Sequence, residues 1–365
     1  MKVDFKNCMI DINKDYSEEL NKFLTLFSPI RETIYKEEVE EEFHDEILVI
    51  GMGGSILGTE TIYYALNPEC KAIFLDNTDP ESTLRKIKSL ENPKVYVVSK
   101  SGNTLETLIN YKLVKEKVKV KEFIFITNGG KLLEIAKKNN YRVLNIPEEV
   151  PGRYSIFTAV GKAPLSAVGV DVKRLLKGAK ALDQIDEKHE AIKNAIIHYL
   201  HEREGRDISV LFTYVEALTY FGEWYKQLVG ESLGKNGLGI TPLLSIGAKD
   251  QHSLLQLYLD GKKDKVITFL TVDNYREDVE IEFENAKKYS EIIKAEKLAT
   301  EKALTNRGVP NITVELKEVC EEELGSLLYF YMIQVAFMGV LYNINPFNQP
   351  AVEEEKRICW SILRK

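Results

Sequence analysis

Short apolar runs alternate with longer stretches in which apolar residues recur at helical spacing. Between residues 46 and 146 the runs at 47–50, 72–75, 95–98, 123–127 and 142–146 are mostly β-branched, aliphatic or aromatic and read as buried strands. Helices are predicted from Ile56, from Asp79-Pro80-Glu81 (where Pro suits the first turn), from Leu105 and from Lys131. Strand and helix in alternation imply an α/β, doubly wound parallel sheet covered on both faces, with ligands bound beyond the carboxyl ends of its strands. A second series follows, with strands at 208–212, 243–246, 265–272 and 311–316 and helices reaching Leu228 and starting at Gln251. Two related sheets are therefore expected, although no residue-level repeat is visible.

The remaining segments place the boundaries. Residues 1–45 are polar, apart from an apolar patch at Phe23, Leu24, Leu26 and Phe27, and read as a helical extension. The run EEVPGR at 148–153 closes a first domain, 46–153, and a second domain with long helices spans 154–342. Within it, 171–204 and the charged stretch 284–307 read as helical, and 343–365 is a C-terminal helical segment. His198 and His201 fit a solvated helix face. The apolar stretch 324–344 is nearly long enough to cross a bilayer, but Ser326, Gln334, Gly339 and three tyrosines interrupt it. It reads as a helix inside the protein or at a subunit interface, so no membrane is expected.

Length and composition narrow the class. With 365 residues, 44% hydrophobic and 29% charged, the chain has the make-up of a two-domain soluble protein. A net charge of −7 argues against a nucleic-acid partner but leaves room for a small anion where a few cations converge. The charges are rich in Lys and Glu, which is compatible with a thermophilic source. Cys8, Cys70, Cys320 and Cys359 show no CxxC spacing, so neither a zinc site nor a disulfide framework is suggested, and no signal peptide is visible. A cytoplasmic location is expected.

Candidate chemistry lies at strand ends and turns. After 95–98 comes Ser99-Lys100-Ser101-Gly102-Asn103-Thr104, small and hydroxyl-rich residues opening a helix. Backbone N–H groups converge there, and the helix dipole favours phosphate; an ordinary hydroxyl-capped turn is the alternative. The turn Gly51-Met52-Gly53-Gly54-Ser55 could let backbone approach a ligand or could simply be tight; Ile56 stands where a dinucleotide fingerprint wants glycine. Arg153 could steady an anion or join an interdomain ion pair. Glu231 could be a general base or a helix cap, and His252 a proton carrier or a cap. Pro350 suits a helix start, with Gln349 just before it and Lys356 inside it among charges that otherwise read as a solvated face.

Taken together and in order, VIGMGGSILG, SKSGNTLET, VPGRYSIFTAVG, QLVGESLGK, DQHSLLQLYLDG and FNQPAVEEEK resemble the glucose-6-phosphate isomerase (phosphoglucose isomerase) family, from residue 49 to 356. The resemblance implies two sugar-isomerase (SIS) domains and an aldose–ketose interconversion of glucose 6-phosphate and fructose 6-phosphate through a cis-enediol, a step of glycolysis and gluconeogenesis. It implies a homodimer and no metal or organic cofactor. Ser99, Lys100, Ser101 and Thr104 match the phosphate loop, helped by Gly53, Gly54 and Ser55. Glu231 matches the base, Arg153 the cation beside the intermediate, and Gln349 a substrate contact. His252, in the family supplied by the neighbouring subunit, and Lys356 match the ring-opening groups, which makes 343–365 an active-site helix. Ala351 stands where the last block usually has glycine, and the short ends suggest that subunit-exchanged tails are missing. A dual phosphoglucose/phosphomannose isomerase is the alternative within the superfamily. A non-catalytic sugar-phosphate sensor would need the phosphate loop but not Glu231, His252 and Lys356 together. A dehydrogenase would need a cofactor.

Overall fold

The computed structural model describes residues 1–36, 39 and 41–364; positions 37, 38 and 40 of the expected N-terminal extension, and 365, lie outside the described residues. The chain opens on a short strand, β1 (Lys2–Asp4), and a helix, α1 (Ser17–Thr33). The first apolar series forms β2 (Glu46–Ile50), β3 (Lys71–Leu75), β4 (Lys94–Val98), β5 (Glu122–Ile126) and β6 (Arg142–Leu144). Between them run α2 (Leu57–Leu66), α3 (Pro80–Lys88), α4 (Leu105–Lys117) and α5 (Gly130–Lys138). The five strands are parallel, in the order β3-β2-β4-β5-β6. β4 is buried along its whole length, which is why its run is apolar on both faces. At α3, Pro80 takes the first position and the Asp79 carboxylate accepts from Ser82 N at 2.7 Å, as the sequence leads one to expect.

Three helices, α6 (Ala159–Ala167), α7 (Val172–Lys180) and α8 (Glu190–Arg203), lead into the second series. It contains β7 (Ile208–Thr213), α9 (Thr219–Leu233), β8 (Thr241–Ile246), α10 (Leu255–Asp260) and β9 (Lys265–Val272). A hairpin of β10 (Glu280–Phe283) and β11 (Ala286–Lys288) precedes α11 (Tyr289–Asn306), β12 (Asn311–Leu316), α12 (Glu321–Leu341) and α13 (Val352–Leu363). The second sheet is ordered β1-β12-β9-β7-β8. Counted within each half, the first four strands of both sheets share the order 2-1-3-4, so the two series are structural repeats. The fifth place is taken by β6 in one sheet and by β1, antiparallel to β12, in the other. The N-terminal segment is thus not only helical: three of its residues complete the second sheet, a strand too short to leave an apolar pattern.

That same segment corrects the reading of the histidines. Residues Phe5, Cys8 and Ile10 pack over α8 beside Ile197, Val266 and Ile312. His201 is thereby covered, and His198, whose Nδ1 lies 2.9 Å from Asn194 O of its own helix, is also buried rather than solvated. His201 Nε2 lies 2.7 Å from Cys8 O, and burial pushes the His198 imidazole down to about 4. The stretch 284–307, expected as one helix, is a strand followed by α11.

Among the described residues, α12 is the helix long and apolar enough to span a membrane, and 89% of its apolar window is buried inside the protein. It packs against α7, α8, α9 and α1, with Phe337 edge-on to Phe23 at 5.6 Å. The two halves meet where α2 packs on α9, with the rings of Tyr64 and Tyr220 stacked at 4.0 Å. Beneath this stack Glu60 is buried, and its Oε2 has no partner among the described residues. Burial, followed by the neighbouring Asp76 carboxylate, pushes its acid up to about 8, against 4.5 for an exposed glutamate. The folded chain thus holds this proton where the unfolded chain releases it. Its stability penalty is absent below pH 4.5, grows as pH rises and is complete above about 8. Glu60→Gln is expected to raise Tm by several degrees at pH 9, with the gain shrinking toward pH 5. Parallel melting curves for the two proteins would contradict the assignment.

Candidate active site

In the first sheet the strand order reverses between β2 and β4, the place where such parallel sheets bind ligands in the crevice beyond their strand ends. Past β2 the chain turns through a short 3-10 segment, Gly53–Ser55. Gly53 has φ +51°, and a Cβ there would lie 2.5 Å from Gln227 Nε2. A Cβ on Gly54 would lie 2.2 Å from the carbonyl carbon of Gly152. The glycines are thus required by close packing of this turn against α9 and the Gly152–Tyr154 turn.

At the end of β4, Ser99 Oγ and Thr104 Oγ1 are 2.8 Å apart, and Ser99 Oγ also accepts from Gly102 N at 3.2 Å. Ser101 Oγ accepts from Asn103 N at 3.3 Å. Thr104 occupies the N-cap position of α4, but its hydroxyl is turned to Ser99 and no side chain caps the first-turn N–H groups. A helix start left in this way suits an anion. Lys100 does something the sequence did not suggest. Its amine donates to Val150 O at 3.0 Å and to Glu148 O, so it ties the loop to the strand-to-turn segment that carries Arg153. Burial lowers its pKa.

Arg153 is 2% exposed and makes five hydrogen bonds. Nε donates to Ser232 Oγ at 2.8 Å, and Nη1 to Glu231 Oε2 at 3.0 Å and Gln349 Oε1 at 2.9 Å. Nη2 donates to Pro346 O at 2.6 Å and Asn348 O at 3.1 Å. A guanidinium has five N–H groups in a fixed plane, and this site uses that number of acceptors from α9 and the 343–351 segment. The alternative reading of Arg153 as an ion-pair residue is half of the arrangement: the pair exists, and it is with the candidate base.

Glu231 lies in the last turn of α9 with its side chain one-third exposed. Arg153 holds Oε2, and Gln227 Nε2 donates to Oε1 at 3.0 Å. Both carboxylate oxygens are aimed by donors from opposite sides. The cleft beside it, about 750 Å³, is lined by Glu231, Lys235, Asn348 and Gln349 among others. Gln227, Ser232 and Lys235 were not singled out from the sequence. The available signal was helical spacing, since Gln227 lies one turn before Glu231 on the same face.

Two candidates stand apart. Lys356 is exposed on α13 and pairs with Glu353 at 2.6 Å. His252 is exposed on the Lys249–His252 turn after β8 and does not line the cleft beside Glu231. The structure thus joins Arg153, Glu231 and Gln349 directly. Gly53 and Gly54 reach them by packing, and the Ser99–Thr104 loop reaches them through Lys100.

A sequence model of the family described as phosphoglucose isomerase matches residues 1–263 and 267–365. The glucose-6-phosphate isomerase of Methanocaldococcus jannaschii is 53% identical over an alignment covering 100% of this chain and 95% of that protein. Among solved structures, a hypothetical protein from Thermus thermophilus superposes with a TM-score of 0.82 at 30% identity, over 96% of this chain and 90% of that one. A glucose-6-phosphate isomerase from Chlamydia trachomatis superposes with a TM-score of 0.78, over 97% of this chain and 76% of that one. At 21% identity this last is a likeness of fold.

Proposed function

We propose a division of labour among these residues from the premise that the chain belongs to the phosphoglucose isomerase family and interconverts glucose 6-phosphate and fructose 6-phosphate. The observation that carries it is the Glu231 carboxylate fixed between Arg153 and Gln227 beside an open cleft. The substrate phosphate sits at the start of α4, held by Ser99, Ser101, Thr104 and first-turn N–H groups, with Ser55 and the glycine turn closing the crevice. Phosphate contacts are remote from the reacting carbons and keep them in register with the base.

With the sugar ring open, Glu231 removes the proton alpha to the carbonyl from C2. Electrons move into a cis-enediol in which O1 takes up a proton, and the same carboxyl returns the proton to C1 as O2 gives up its own, a net proton transfer from O2 to O1. The oxygen that gains charge faces Arg153, which stays protonated throughout. Gln349 and Gln227 orient the hydroxyls and the base. His252 and Lys356 carry the ring-opening proton transfers, with His252 delivered by a second protomer. Its exposure and its position off its own cleft support that arrangement, and hence a homodimer.

An assay of glucose, fructose and mannose 6-phosphates side by side tests the reading. Turnover confined to the glucose–fructose pair is expected. Comparable turnover of mannose 6-phosphate would instead make this a dual isomerase, and binding without turnover would make it a sensor. Lys100→Ala with Thr104→Ala is expected to raise KM for both sugar phosphates about 10- to 100-fold, because Thr104 loses its hydroxyl contact to the phosphate and the loop loses its tie to the Glu148–Val150 segment. An unchanged KM would move the phosphate away from this loop.

A further inference from the structure

The last turn of α9 carries the candidate base, and its four terminal carbonyls need partners. Gly230 O accepts from Gly234 N at 3.0 Å, and Leu233 O from Lys235 N at 2.8 Å. The two between them, Glu231 O and Ser232 O, accept from the Lys235 ammonium at 2.8 and 2.6 Å. These are the backbone oxygens of the two residues whose side chains grip Arg153. One amine thus closes the helix end and sets the backbone on which both grips depend.

The charge matters as well as the bonds. A helix carries partial negative charge at its C-terminal end, equivalent to roughly half an electron. Here that end borders the cleft in which negative charge develops on the sugar oxygens. Resting on the assignment of Glu231 as base, we propose that Lys235 is the positioning residue of that base. Its ammonium locks the Glu231–Ser232 turn and offsets the helix-end charge that would oppose the enediol intermediate. Burial and, secondarily, the Arg153 guanidinium push this amine down to about 8, so it loses its charge at mildly alkaline pH. The charged groups facing it are Arg153, from the Gly152–Tyr154 turn, and Glu231, from its own helix. The 343–352 segment brings only amides and apolar groups to the shared cleft.

The test compares Lys235→Met and Lys235→Arg with the wild type from pH 6 to 10, using glucose 6-phosphate. Lys235→Met should lower kcat about 10- to 100-fold at pH 7 with KM nearly unchanged, the scale of a misplaced catalytic group. Its kcat should also lack the decline on passing about pH 8 that is expected of the wild type. Lys235→Arg keeps the cation at every pH. It should retain more kcat than Lys235→Met and hold it above pH 9. A Lys235→Met enzyme with wild-type kcat and pH profile would overturn the proposal. So would a Lys235→Arg enzyme that declines near pH 8 as the wild type does, which keeps the test decisive if Lys235→Met folds poorly. Glu231→Gln measured alongside separates two failures. Normal turnover there removes the base assignment itself, whereas an inactive Glu231→Gln beside two normal Lys235 variants removes only the role of Lys235.

Discussion

Glu231→Gln will lower kcat about 10²- to 10⁴-fold, the usual weight of a positioned proton-transfer group. KM for the sugar phosphates will stay within a small factor. The amide is nearly isosteric and can still accept from Gln227 or Arg153, so the cleft keeps its shape. What it loses is the capacity to accept a proton from C2. A variant that loses binding rather than turnover would mean the carboxylate serves chiefly to hold Arg153.

The second large effect belongs to Arg153. Lysine retains the positive charge but offers three donors from a single point, against five in a plane. Arg153→Lys must leave at least two of Ser232 Oγ, Glu231 Oε2, Gln349 Oε1, Pro346 O and Asn348 O without their present donor. Each buried group so stranded costs about 1–3 kcal/mol. A clear fall in Tm is expected, together with a loss of about 10²-fold in kcat, the scale of a base and a substrate contact moved out of position when Glu231 and Gln349 lose their common donor. Because this guanidinium also joins α9 to the 343–351 segment, Gln349 should loosen in the same variant. A fully active, equally stable Arg153→Lys protein would contradict both roles.

The sequence conveyed the sheets better than what covers them. β9 and β12 match their expected runs residue for residue, β9 because a central parallel strand is buried on both faces and β12 because Ile312, Val314 and Leu316 alternate with polar residues. β1 and the β10–β11 hairpin left no such mark: three residues at a sheet edge and a mainly charged ribbon bury too little. His198 and His201 were misread for a related reason. A helix pattern shows which face is polar, but not that the distant segment 5–10 folds over it. At the site, Arg153, Glu231 and Gln349 each fitted a bland role, and only their mutual hydrogen bonds distinguish them from caps and surface charges. Lys100 shows the limit of reading charge beside a loop as charge toward its ligand. Two backbone carbonyls fifty residues away claim that amine. Glu60 and Lys235 depend on burial and on a helix end, neither of which composition reveals.

The central claim is that Glu231 carries a proton between adjacent carbons of an open-chain sugar phosphate. Glucose 6-phosphate deuterated at C2, converted in ordinary water, tests it most directly. The wild type should release part of the deuterium to solvent while making fructose 6-phosphate, and Glu231→Gln should release none at a comparable rate. Deuterium release and turnover by Glu231→Gln at the wild-type rate would contradict it.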